Sequence, residues 1–180
     1  LTSESDEPEE TIPNNEIWYT ATAKVDPYCW EHNFGANIES NIWNPVTGKG
    51  VITFDGEVTK VGEWAFYECS AITSMIIPNS VITIEELAFS YCTGLEKITM
   101  GNNLTTIGAS AFDACSVLQS IKIPEGVTTI GPGAFSDCSS LVSITIPDSV
   151  TTIGELAFHS CFALTEFRGK FASEDNRCLV

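Results

Sequence analysis

From Gly50 onward the apolar positions fall into a phrase that returns every 23 residues. An Ala-Phe pair opens each copy: Ala65-Phe66, Ala88-Phe89, Ala111-Phe112, Ala134-Phe135 and Ala157-Phe158. Three residues after each Phe stands a cysteine (Cys69, Cys92, Cys115, Cys138, Cys161). Three further on comes an aliphatic residue (Ile72, Leu95, Leu118, Leu141, Leu164). Two apolar positions separated by one residue follow: Met75/Ile77, Ile98/Met100, Ile121/Ile123 and Ile144/Ile146. Pro78, Pro124 and Pro147 close three of these copies, and Gly101 closes the other. A V-T-x-I phrase completes the unit, as in Val127 to Ile130. The copies align without a gap. A fixed period of this length marks a solenoid.

Polarity within one copy predicts its elements. Leu118, Ile121 and Ile123 point one way while Ser120 and Lys122 point the other, the alternation of a short strand with one buried face. Pro124 lacks an N–H and ends it. The β-branched run Val127 to Ile130 suits a second extended segment, and Gly131 permits a turn. Ala111, Phe112 and Cys115 have helical spacing, which predicts a single helical or 3₁₀ turn. No coil buries its apolar side alone, so stacked coils with parallel strands at 75–77, 98–100, 121–123 and 144–146 are expected.

Ahead of the repeats, Glu16 to Thr22 alternates Ile17, Tyr19 and Ala21 against Trp18, Thr20 and Thr22, and reads as a strand. Lys24 to Asn33 reads as a loop, Phe34 to Trp43 as a strand, Asn44 to Gly48 as a turn and Gly50 to Phe54 as a further strand. Ile52 and Phe54 already lie in repeat phase with Met75 and Ile77. Residues 15–50 are therefore expected to form an N-terminal β cap on a solenoid spanning 51–168. Residues 1–14, rich in Glu and Asp with Pro8 and Pro13, read as a disordered acidic linker. Residues 169–180 read as a C-terminal hairpin turning at Glu174-Asp175-Asn176, or as the start of a continuing segment.

The phrase AFxxCxxLxxIxIPxxVTxIG resembles the BspA-like leucine-rich repeat, the 23-residue variety of bacterial surface proteins. The lead-in at Asn15 to Thr20 and Phe34 to Ile38 is similar to the start of such proteins from gut anaerobes. The resemblance implies a mostly β, right-handed leucine-rich-repeat solenoid. It also implies a non-catalytic, adhesin-like module at the cell surface, anchored to the outer membrane or secreted. An N-terminal lipid anchor after the acidic spacer and a protein ligand such as a host matrix protein follow from the same resemblance; a monomer is expected.

Charge changes this picture by exclusion. With 24 acidic against 8 basic residues the net charge is −16, which disfavours nucleic acid and anionic membrane surfaces. No stretch has the apolar length of a transmembrane helix. Five of the 7 cysteines occupy one repeat position. Stacked with parallel side chains they read as free, buried thiols rather than disulfides or a tetrahedral zinc site. Cys29 and Cys178 stand outside the array.

Catalysis needs convergent groups. His159 occupies a variable turn position, and a Cys29/His32 pair has no orienting partner or oxyanion hole. The carboxylates do not recur at an inward position, and neither EF-hand nor nonapeptide calcium spacing appears. No enzyme activity, metal or cofactor is expected. Exposed strand positions offer the candidate ligand face: Thr53, Lys97, Thr99, Lys122, Thr145, Glu166 and Arg168, with Ser74, Ile76, Ser120 and Ser143 among them. Lys97 and Lys122 lie one coil apart on a diagonal. The competing site is a glycan platform built from Trp18, Trp30 and Trp43.

Overall fold

The computed structural model describes residues 11–28 and 33–171. Three strands come first: β1 (Glu16–Ala21), β2 (Ile38–Trp43) and β3 (Lys49–Phe54). Ten short strands follow, two per coil: β4 (Lys60–Val61) and β5 (Ile72–Ile76), β6 (Thr83–Ile84) and β7 (Lys97–Thr99), β8 (Thr106–Ile107) and β9 (Ser120–Lys122), β10 (Thr129–Ile130) and β11 (Ser143–Ile146), β12 (Thr152–Ile153) and β13 (Glu166–Gly169). Each solenoid pairing is parallel and joins residues 23 apart, as in Ser74 to Lys97, Ile121 to Ile144 and Ile130 to Ile153. The strands sit about one residue earlier than the sequence predicts. They centre on the first inward residue, while Ile77, Met100 and Ile123 already follow the last ladder position.

Three faces enclose the core. One carries β5, β7, β9, β11 and β13, and a second carries β4, β6, β8, β10 and β12. The third is where a helical or 3₁₀ turn was expected, and no helix forms there among the described residues. The segment is instead a run of tight turns. Tyr67 N–H reaches Trp64 O at 3.0 Å and Cys69 N–H reaches Phe66 O at 3.1 Å. Two residues per coil take left-handed φ near +50 to +61°: Trp64 and Glu68, Leu87 and Tyr91, Ser110 and Ala114, Gly133 and Asp137, Leu156 and Ser160. This twist points every second N–H along the stack. Phe66, Phe89, Phe112 and Phe135 each donate to the Ala carbonyl of the following coil at 2.7–2.8 Å. A helical turn would spend those donors within the coil; the left-handed residues free them to join coil to coil, which offsets a backbone strain of about 1 kcal/mol or more per non-glycine residue.

The inward columns form one core. Phe66, Phe89, Phe112, Phe135 and Phe158 stack at 5.2–5.6 Å with planes within 8° of parallel. Phe34 meets this column edge-on at the N-terminal end and Phe167 at the other (63° and 82°). The five cysteines of the repeat are free, and the inner three are buried. Each thiol from Cys92 to Cys161 donates to the Phe carbonyl of the coil before it, at 3.1–3.3 Å. Burial pushes Cys69 and Cys161 up to about 11 and holds the inner three higher still.

The N-terminal strands join the solenoid in an order that repeat phase does not suggest. β1 is inserted between β3 and β5 and runs antiparallel to both. β3 keeps the repeat direction but lies one strand away from the first coil. Inward Ile17, Tyr19 and Ala21 of β1 supply the missing core layer. Gly50 is required beneath them, because a Cβ there would lie within the Tyr19 ring. Of the stretch read as an acidic linker, 1–10 lies outside the described residues; Ile12 is buried, and Asn14 O accepts from Val58 N at 2.8 Å. The hairpin expected after Phe171, together with Cys29, Trp30, His32 and Cys178, also lies outside the described residues.

Candidate interaction surface

The outer face of β2, β3, β1, β5 and β7 is one continuous sheet. Alternation puts Trp18 and Thr20 of β1 outward, because Ile17, Tyr19 and Ala21 face the core. The register then sets an outward row across five strands: Ile42 opposite Val51, Val51 opposite Trp18, Trp18 opposite Ile76 and Ile76 opposite Thr99. Four of its members are apolar, and Ile42 is 71 % exposed. Beside it runs a polar row, Lys49, Thr20, Ser74 and Lys97. Thr20 is fixed by 2.7 Å hydrogen bonds to Thr73 and Ser74, and the Trp18 indole N–H by Glu16 at 2.6 Å.

Farther along the stack the same face is polar. Thr145 lies between Lys122 and Arg168, and Ser143 between Ser120 and Glu166. The Arg168 guanidinium is paired with Glu166 at 2.7 Å, so its charge is partly offset. β7 and β9 are neighbours without ladder hydrogen bonds, which leaves the face in two parts.

The expected ligand residues therefore divide. Lys97 and Thr99 lie on β7 next to the apolar row. Lys122, Thr145, Glu166 and Arg168 belong to the second part. Thr53 lies on β3, opposite Glu16 and Ser40, and β1 separates it from β5. Trp18 and Trp43 occupy opposite sides of the sheet: Trp18 is outward, while Trp43 packs against the core and donates to Gly48 O at 3.1 Å. The apolar row is invisible to repeat phase alone. Its members come from four strands in non-sequential order, and only the antiparallel insertion of β1 aligns them.

Comparison with known proteins fits this architecture. The model of the BspA type leucine rich repeat region matches residues 37–168 in 6 copies. The chain belongs to this family. Its repeats form non-catalytic scaffolds that are generally protein-interaction modules. Among solved structures, a leucine rich cell surface protein from Faecalibacterium prausnitzii is 37 % identical with a TM-score of 0.62, over 67 % of this chain and 32 % of that one. A leucine rich repeat protein of T. pallidum is 29 % identical with a TM-score of 0.63, over 77 % of this chain and 69 % of that one. The pneumococcal vaccine antigen PcpA, at 23 % identity and a TM-score of 0.56, shares the fold. The BspA-type chain thus spans about a third of the Faecalibacterium protein (32 %). No curated protein matches it. Among the described residues no helix is long and apolar enough to cross a membrane, and no group of three or more His, Cys, Asp or Glu is placed to hold a metal.

Proposed function

We propose that this chain is a surface-displayed or secreted, non-enzymatic interaction module that binds a protein partner on the strand face. The observation that carries the reading is the outward row Ile42–Val51–Trp18–Ile76, with Lys97 on the adjoining polar row. A tryptophan centred among aliphatic residues and rimmed by polar side chains has the make-up of an interface hot spot. The ladder beneath it is hydrogen-bonded across five strands, so little conformational freedom is lost on binding. The surface location of the Faecalibacterium relative supports placement outside the cell. Lys97 at the edge of the first part of the face and Lys122 across the break, on a diagonal, would act on encounter with acidic partners more than on residence time.

The test is site-specific photo-crosslinking from Ile76, with exposed Leu156 on the turn face as control, followed by affinity measurement on the captured protein. Trp18→Ala should weaken binding by about tenfold or more. Lys97→Glu should slow association at low salt, with the effect fading as salt rises. Capture that is equal from both positions, or affinity unaffected by Trp18→Ala, would remove the strand face as the site.

A further inference from the structure

The repeat supplies its own reference for what each position needs structurally. Lys60 is followed one coil at a time by Thr83, Thr106, Thr129 and Thr152. Glu85 stands in a column otherwise made of Gly62, Gly108, Gly131 and Gly154. Tyr67 is followed by Ser90, Asp113, Ser136 and His159, and Tyr91 shares its column with Glu68, Ala114, Asp137 and Ser160. Trp64 holds a position that Ser110 and Gly133 also fill. The coil needs no aromatic ring at any of these places, and needs neither the lysine nor the glutamate.

All five departures meet at one spot, on the first two coils where the turn face borders the β4–β6 face. Tyr28 completes the spot. Its N–H donates to Ala65 O at 2.8 Å, so the N-terminal segment takes the ladder place of a preceding coil. The Trp64 and Tyr67 rings lie 4.7 Å apart at 57°, and Tyr67 and Tyr91 5.8 Å apart at 68°. Despite these contacts Tyr28, Trp64 and Tyr91 remain 49, 38 and 47 % exposed. Tyr28, Trp64 and Tyr67 line a cleft of about 610 Å³ together with Asn33, Lys60, Glu63 and Glu85, a volume within the usual range for small-ligand sites.

The polar groups of the cleft are held in place and leave it negative. Lys60 is spent on Glu85 at 3.1 Å. The second Glu85 oxygen accepts from Glu63 N–H at 3.2 Å, and the Glu63 carboxylate accepts from the Trp64 indole at 2.6 Å. Glu68 adds a further carboxylate beside Tyr67, and burial together with that charge raises the phenol above its ordinary value. Rings tilted by 57–68° do not offer the single flat platform that stacks on a sugar. Tilted rings backed by carboxylates are the arrangement that holds an alkylated ammonium, through the negative faces of the rings.

We propose that this cleft is a second binding site, specific for an organic cation with a quaternary or alkylated ammonium head, in which Tyr28, Trp64 and Tyr67 cradle the head and Glu63 supplies the countercharge. The site lies on a different face from the apolar row, so either can fail without the other.

The experiment is a titration of the isotope-labelled full chain with choline, following the indole N–H signals by NMR. A parallel titration uses 3,3-dimethylbutan-1-ol, the uncharged carbon isostere. Choline should shift the Trp64 indole saturably while leaving Trp18 unmoved, and the isostere should bind about tenfold more weakly or worse. Tyr67→Ser and Trp64→Leu borrow the residues of Ser90 and Leu87, so the coil itself accepts them; each should weaken choline binding by about three- to tenfold. A Trp64 signal unmoved by choline, equal binding of the isostere, undiminished binding in both variants, or a response to cellobiose in place of choline would each overturn the proposal.

Discussion

The first coil and the third obey one phrase yet present different surfaces. Inside they are interchangeable: Phe66 and Phe112 are both fully buried, and each donates its N–H to the next coil. Outside, the third coil shows Ser110, Asp113 and Ala114 where the first shows Trp64, Tyr67 and Glu68. The difference teaches that packing dictates the inward letters, whereas the outward letters are free for other uses. A large ring at an outward position is not explained by the fold, because the same backbone carries Gly133 there three coils on. The two classes of position should therefore respond differently to mutation.

The largest separation is expected in stability. Phe112→Ala removes a ring stacked between Phe89 and Phe135 at 5.2 and 5.3 Å and should cost about 3–5 kcal/mol in chemical denaturation. Trp64→Ala should cost less than about 1 kcal/mol, the usual scale for surface changes. Comparable losses from both would erase the distinction between inward and outward letters.

Thiol reactivity sharpens the contrast along a single column. Only the thiolate reacts, and burial raises all five thiols of the repeat. Cys92, Cys115 and Cys138 are fully buried, whereas Cys69 and Cys161 at the two ends are only partly so. Peptide mapping after labelling of native protein should find the inner three unmodified and the outer two slowly modified, with all five labelled in denaturant. Inner thiols that label as fast as the outer two would contradict a closed column.

The smallest effect concerns Asp113. Burial raises its carboxyl above the ordinary carboxylate value, and the charge of Asp137 adds to this, against a hydrogen bond from Ser136. A folded-state value above the unfolded one favours the protonated form, so the contribution to stability is present in acid and is lost as pH rises through the folded value. At neutral pH the carboxylate is thus a slight cost. Asp113→Ser, which copies Ser90 and Ser136, should be the more stable protein at pH 7, with the gain disappearing below about pH 4. A gain independent of pH would assign the effect to something other than the charge.

How much of this was legible in the sequence follows from how local each signal is. The columns of Phe, Cys and aliphatic residues needed only the period, and the parallel register of 23 came with them. The turn face was misread because Ala65, Phe66 and Cys69 have the spacing of a helix, and the left-handed positions carry Trp, Glu, Leu, Tyr, Ser, Ala and Asp. Gly133 alone has the residue type that signals such a backbone. The place of β1 between β3 and β5 is a long-range pairing with no local marker, and with it the apolar row stayed hidden. Trp64 precedes the first Ala-Phe pair with no phase signal of its own, and the residue is 38 % exposed. Comparing the variable columns coil by coil would have singled it out.

Native-state hydrogen exchange tests the central claim most directly, because coil-to-coil bonding on the turn face is what sets one 23-residue unit upon the next. The amides of Phe89, Phe112 and Phe135 donate to Ala111, Ala134 and Ala157 at 2.8 Å. They should exchange only through opening of the stack, with protection approaching that of the whole fold. Rapid exchange at these three amides, at the rate of an exposed loop, would contradict the stacked turn ladder and the placement of every column that rests on it.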